Sequence, residues 1–223
     1  SCQRIGYFSS PTVLYHGHAT GSATQDNART LTRRAPIVAA YRGAPTGPGI
    51  PAANKISAGA HTCAVSDNGT VRCWGWNAYG QLGNGTYTNT NEYSITQVVG
   101  LTSGVQHVAL GDFHACALVS GAVKCWGRNN HGQLGIGLSG DTSNVPLSVI
   151  GLPDGITQLA AGTEHSCAIT TSGEAWCWGN NNHGQLGDGT TIDRALPVRV
   201  LGLDGRMVSV VAGAVNGCAI SQL

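Results

Sequence analysis

Cys73-Trp74-Gly75-Trp76-Asn77-Ala78-Tyr79-Gly80-Gln81-Leu82-Gly83 recurs as Cys125-Trp126-Gly127-Arg128-Asn129-Asn130-His131-Gly132-Gln133-Leu134-Gly135. It returns again as Cys177-Trp178-Gly179-Asn180-Asn181-Asn182-His183-Gly184-Gln185-Leu186-Gly187, each copy 52 residues after the last. Ahead of each copy stands a second marker of Gly, His and Cys: Gly59, His61 and Cys63; Gly111, His114 and Cys116; Gly162, His165 and Cys167. A weakened fourth copy reads Gly213-Ala214-Val215-Asn216-Gly217-Cys218. A period of this length, rich in glycine, is the mark of an array whose units hide their apolar faces against one another.

Within a unit the pattern is that of strands. Gln158 to Gly162 leads into Ser166-Cys167-Ala168-Ile169, a turn follows at Thr171-Ser172-Gly173, and Ala175-Trp176-Cys177-Trp178 returns. The equivalent turns, Asp67-Asn68-Gly69 and Ser120-Gly121, carry residues that tolerate positive φ. No segment keeps helical periodicity. The expectation is an all-β chain of the β-propeller type, with about four blade-equivalents of four-stranded antiparallel sheet. Repeats run from 54 to 105, 106 to 157 and 158 to 209, with a truncated unit at 210–223, and residues 1–53 form a degenerate N-terminal segment holding a strand and a long loop.

The repeats resemble the regulator of chromosome condensation family, whose blades carry Gly-x-x-His-x-x-Ala-Leu followed by Val-x-x-Trp-Gly-x-Asn-x-x-Gly-Gln-Leu-Gly. The likeness covers residues 54–223 and not 1–53. It implies seven-bladed propellers in familiar members, and roles as exchange factors for a small GTPase, chromatin binders, inhibitors or interaction modules. It therefore implies fold more firmly than activity. Ser66-Asp67-Asn68-Gly69 loosely suggests the Asp-box of sialidase-type propellers, but the other turns do not repeat it.

Cysteine spacing divides the eight cysteines. Cys63 and Cys73, Cys116 and Cys125, and Cys167 and Cys177 each flank a turn, so folding the hairpin brings each pair opposite at roughly 4.5 Å between Cα atoms, within disulfide reach. Three intra-blade disulfides are expected, and with them a secreted or cell-surface location. A zinc reading would recruit His61, His114 and His165, but equivalent positions on separate blades converge poorly on one ion. Cys218 opens a hairpin whose return strand is not in sight, whereas Ser1-Cys2-Gln3-Arg4-Ile5 looks like such a return strand, and Pro36-Ile37-Val38 like the outer strand after it.

Two closures follow. The N-terminal strand closes a ring within one chain, or it completes the final hairpin of the next copy. The second closure makes Ser1, Cys2, Gln3, Arg4 and Ile5 and the facing Cys218, Ala219 and Ile220 an assembly surface with a Cys2–Cys218 bond between subunits. At ~51° per blade, as in seven-bladed propellers, four blades sweep only ~205° and leave the ends apart, an open arc that a neighbouring subunit completes.

Little in the chain points to catalysis. Asp112 near His114 and Glu164 beside His165 are the acid–histidine neighbours, but the histidine recurs where the acid does not, which marks it as packing. No nucleophile elbow, phosphate loop or zinc-protease helix occurs. His16 and His18, and the Arg29, Arg33, Arg34 cluster, read as parts of a solvated loop, with weak copper or nickel binding as the alternative at the histidines. Only 10% of residues are charged, with 12 basic against 11 acidic and a formal net charge of +1, so nucleic acid and anionic membranes are poor partners. No apolar run approaches the ~18 residues of a membrane span. Asn68-Gly69-Thr70 and Asn84-Gly85-Thr86 fit glycosylation sequons.

The expected function is thus a non-enzymatic extracellular structural protein, without cofactor or metal, that assembles head to tail with copies of itself into a fibre or oligomer. The alternative is a monomeric binding module or inhibitor that recognises an extracellular protein or glycan.

Overall fold

The computed structural model describes residues 2–5 and 56–222, with no side-chain account of 2–5 and 89–93. His16, His18, the arginine cluster and Pro36-Ile37-Val38 lie outside the described residues. Those residues carry no helix; they form four antiparallel sheets in sequence order. Blade 1 holds β2 (Ile56–Ala58), β3 (His61–Val65), β4 (Val71–Asn77) and β5 (Thr88–Gln97). Blade 2 holds β6 (Val105–Leu110), β7 (His114–Val119), β8 (Ala122–Gly127) and β9 (Ser143–Ser148). Blade 3 holds β10 (Ile156–Ala161), β11 (His165–Thr170), β12 (Ala175–Gly179) and β13 (Arg194–Arg199). Blade 4 joins β14 (Met207–Ala212) and β15 (Gly217–Ser221) to β1 (Cys2–Ile5), in the order β1-β15-β14.

The sheets form because two-residue alternation serves both of their faces. In β7 and β11 nearly every side chain is buried, since each blade is covered by a neighbour on either side. Apolar residues gather between the blades. One cluster joins Val65, Leu82 and Leu101 of blade 1 to Val108 and Trp126 of blade 2. A second joins Cys125 and Leu134 to Leu159 and Trp178. A third joins Ile169 and Leu186 to Met207 and Val210. The inner strands of all four blades line a cavity of about 730 Å³.

The Trp-Gly step of the repeat has a steric cause. Gly127 has φ 104°, and a Cβ there would lie 2.6 Å from the Phe113 carbonyl oxygen and 2.7 Å from the His114 Cα. Gly75 and Gly179 repeat this, each at the irregularity where the third strand bends away from the fourth. The four blades do not close into a ring among the described residues. A Cβ on Gly59 would meet the Gly111 carbonyl, one on Gly111 the Gly162 carbonyl and one on Gly162 the Gly213 carbonyl, whereas one on Gly213 would meet only Asn216 of its own blade.

Candidate functional site: blade junctions and loop rim

The first and second junctions use the same parts. The Trp126 indole donates to the Gln81 carbonyl of the preceding blade at 2.9 Å, and Trp178 donates to the Gln133 carbonyl at 2.9 Å; both rings are fully buried. Thus the Cys-Trp-Gly strand of one blade reads the Gly-Gln-Leu-Gly loop of the blade before it. Trp74, at the same place in blade 1, is partly exposed and its indole N–H has no acceptor among the described residues. The inner-strand residue opposite the first cysteine behaves likewise. Ala109 (opposite Cys116) and Ala160 (opposite Cys167) are 6% and 9% exposed, while Val211, opposite Cys218, is 56% exposed.

The repeated histidines His61, His114 and His165 are wholly buried. His114 Nε2 lies 2.8 Å from the Ser166 hydroxyl of the next blade, while both ring nitrogens of His61 and of His165 lack partners. The residue after the histidine is Ser166 in blade 3 but Ala115 in blade 2, and in blade 4 Gly217 holds that place behind Asn216, which is why one histidine alone finds a hydroxyl on the next blade. Burial lowers the pKa of His61 and His114 to about 3 and that of His165 to about 4, and for His114 the other two histidines push the same way. These are packing groups held neutral, with no carboxylate against them. Asp112 instead accepts from the Thr163 hydroxyl at 2.8 Å, and Glu164 pairs with Arg128 at 2.9 Å.

Around this frame the rim varies from blade to blade. The residue after Cys-Trp-Gly is Trp76, then Arg128, then Asn180, and the residue before the marker histidine is Ala60, Phe113 or Glu164. At the first junction Trp76, Tyr79 and Phe113 meet edge to face, with centroids 5.4–5.8 Å apart. The Arg128 guanidinium lies 5.2 Å from the Tyr79 centroid and 5.1 Å from that of Phe113. At the second junction His131 sits between Asp193 at 2.7 Å and Glu164 at 3.2 Å. Sequence reasoning did not find this acid–histidine contact, because Asp193 lies 62 residues from His131 and reaches it only across two blades. Among the described residues no group of three or more His, Cys, Asp or Glu could hold a metal ion.

Cys63–Cys73, Cys116–Cys125 and Cys167–Cys177 are disulfides, each between residues in direct register with Cα atoms 4.1 Å apart. Cys218 is also disulfide-bonded. The N-terminal strand pairs with β15 of its own chain: Cys2 faces Ile220, Gln3 faces Ala219, Arg4 faces Cys218 and Ile5 faces Gly217. The expected assembly residues of both ends are therefore together, but within one chain, and Ser1 lies outside the described residues. The register differs by two residues from the other blades, where cysteine faces cysteine. A tight turn fixes register there; β1 arrives without one, and a two-residue slip keeps each side chain on its own face.

Models of the regulator of chromosome condensation (RCC1) repeat match residues 55–81, 105–133 and 156–185, and, in a second form, 120–169 and 172–220. The ultraviolet-B receptor UVR8 of Arabidopsis thaliana is 38% identical over 157 residues, which is 68% of this chain and 35% of that protein. The human E3 ubiquitin-protein ligase HERC2 is 38% identical over 159 residues, 70% of this chain and 3% of the ligase. Human WBSCR16 superposes with a TM-score of 0.66 at 26% identity, covering 77% of this chain and 46% of that one. Prp20p of Saccharomyces cerevisiae, described with its binding to Gsp1p and histones, gives 0.66 at 22% identity over 74% and 42%. The chain thus spans about a third of the receptor, a small part of the ligase and less than half of these solved structures.

Proposed function

The chain belongs to the regulator of chromosome condensation repeat family, and from that premise we propose that it is a non-enzymatic extracellular structural protein whose copies associate head to tail into a fibre or oligomer. The coarser reading, a propeller-repeat module for protein–protein interaction, follows from the fold and its relatives. Three disulfides support an oxidising compartment, because thiols in a reducing cytosol stay open. One observation carries the association: the sheet β1-β15-β14 is completed by a strand, β1, that comes to it from the opposite end of the sequence. The pairing of β1 with β15 is the same contact that, exchanged between copies, would complete a neighbour's last blade. Light scattering of the purified chain over a hundredfold range of concentration tests this reading. A mass above 22.8 kDa that rises to a plateau or keeps growing is expected, and a constant 22.8 kDa discards it.

A second reading rests on the rim. Trp76, Tyr79, Phe113 and Arg128 are of the types that carry binding energy at interfaces, and they stand where the blades differ most. A monomeric module that grips an extracellular protein or glycan would use them, and Arg128→Ala would then weaken capture of that partner while leaving the mass unchanged.

A further inference from the structure

We propose that the loop rim of the first and second junctions, from Trp76 to Asp193, is a docking site for a segment of a partner protein that presents lysine or arginine side chains. This rests on the second reading above and names the partner's chemistry. The rim is built from paired positions on a constant frame. In blades 1 to 3 the residue after Cys-Trp-Gly donates its backbone N–H to the carbonyl of the residue before the marker histidine: Trp76 to Ala60 at 3.4 Å, Arg128 to Phe113 at 2.9 Å and Asn180 to Glu164 at 2.9 Å. The two varying places are thus held side by side at the same end of each blade, where a rigid scaffold presents changing side chains.

Buried amides show what two of these residues displace. The side-chain oxygens of Gln81, Gln133 and Gln185 accept from the backbone N–H of Tyr79, His131 and His183 at 2.8–2.9 Å, so the three amides are set alike. Gln185 then donates to the Asn180 side chain at 2.8 Å, whereas the side-chain N–H groups of Gln81 and Gln133, both fully buried, have no partner among the described residues. Trp76 and Arg128 stand where Asn180 stands and carry no acceptor. The fold forgoes a buried hydrogen bond at both places, and a residue kept against the local best choice marks a functional surface.

Charge and ring geometry select the partner. The carboxylates of Asp112, Glu164 and Asp193 stand here with the guanidinium of Arg128, which Glu164 holds at 2.9 Å, and that of Arg194 is taken by Asp188 at 2.7 Å. Carboxylates are therefore in excess along this rim of a chain whose formal net charge is +1, so the attraction for cations is local. Trp76, Tyr79 and Phe113 meet at 69–84°, and Arg128 lies over two of the rings, which leaves no flat platform for a sugar. Ring faces beside carboxylates suit a narrow alkyl chain that ends in a cation, and Arg128 is the internal example of that contact.

Fluorescence anisotropy with the full chain tests the site, using labelled short peptides of alternating lysine and glycine or glutamate and glycine, and a labelled neutral oligosaccharide. The lysine peptide is expected to bind saturably, one per chain, and more weakly as salt rises. Trp76→Asn, which installs the residue of blade 3, and Glu164→Gln should each weaken it about tenfold with the circular dichroism spectrum retained. Asp154→Asn, exposed on the connection between β9 and β10 at the opposite end of the blades, should leave it unchanged. Lysine-peptide binding that survives both rim substitutions overturns the assignment to this rim. Binding of the glutamate peptide or the sugar instead, lost in Trp76→Asn, overturns the cationic partner and leaves the rim as a partner surface standing. No binding by any probe overturns the inference and the reading beneath it.

Discussion

Three buried histidines give the fold a pH dependence whose sign is fixed. His61, His114 and His165 have pKa values of about 3 to 4 in the folded chain against 6.5 in the unfolded chain, so between these values the unfolded state binds the extra protons. Their unfolding cost is full above pH 6.5 and is lost as pH falls toward 4, at about 1.4 kcal/mol per pH unit for each histidine. Urea midpoints measured from pH 7.5 down to 4.5 should decline steeply below 6.5; a flat profile would mean that these rings are solvated or already charged. Ser166 offers a finer test of the same position. Ser166→Ala strips His114 of its partner and should cost about 1–2 kcal/mol, whereas Ala115→Ser introduces a hydroxyl at the matching place in blade 2 and should cost nothing or stabilise. Equal losses from the two substitutions would refute the assignment. The cysteine pairs were legible at this scale because a hairpin turn sets register and register sets which side chains meet. The His131 contacts were not, since nothing local to His131 specifies Glu164 or Asp193.

The blades themselves were legible from the 52-residue period, and the reason is packing: a sheet covered on both faces needs the same apolar pattern each time it recurs. What the period did not carry is the register of β1, which pairs with β15 across a separation of 212 residues at Ile5 and Gly217 without a turn to fix it, and the difference between inner and end blades. That difference has an energetic signature. Trp126→Phe removes a fully buried donor, orphans the Gln81 carbonyl and leaves a small void, and should cost about 2–4 kcal/mol in thermal or chemical unfolding. Trp74→Phe, in the same motif but with no acceptor to lose, should cost under about 1 kcal/mol in the monomer. Similar costs for the two would show that Trp74 is as well seated as Trp126, and that blade 1 is not an open end.

At the scale of the whole molecule, covalent and non-covalent association predict different gels. An intermolecular Cys2–Cys218 bond would require the N-terminal strand to leave its own chain. In the single chain β1 pairs with β15 along Cys2–Ile5, and Cys63–Cys73, Cys116–Cys125 and Cys167–Cys177 each lie inside one blade. An association through strand pairing without that bond is held by apolar burial and hydrogen bonds, and denaturant dissolves it. Denaturing electrophoresis without reductant should then show one band at the monomer mass, even from samples whose native mass is two copies or more. A ladder of multiples that collapses on reduction would mean instead that the strand is exchanged between copies and that the junction is covalent.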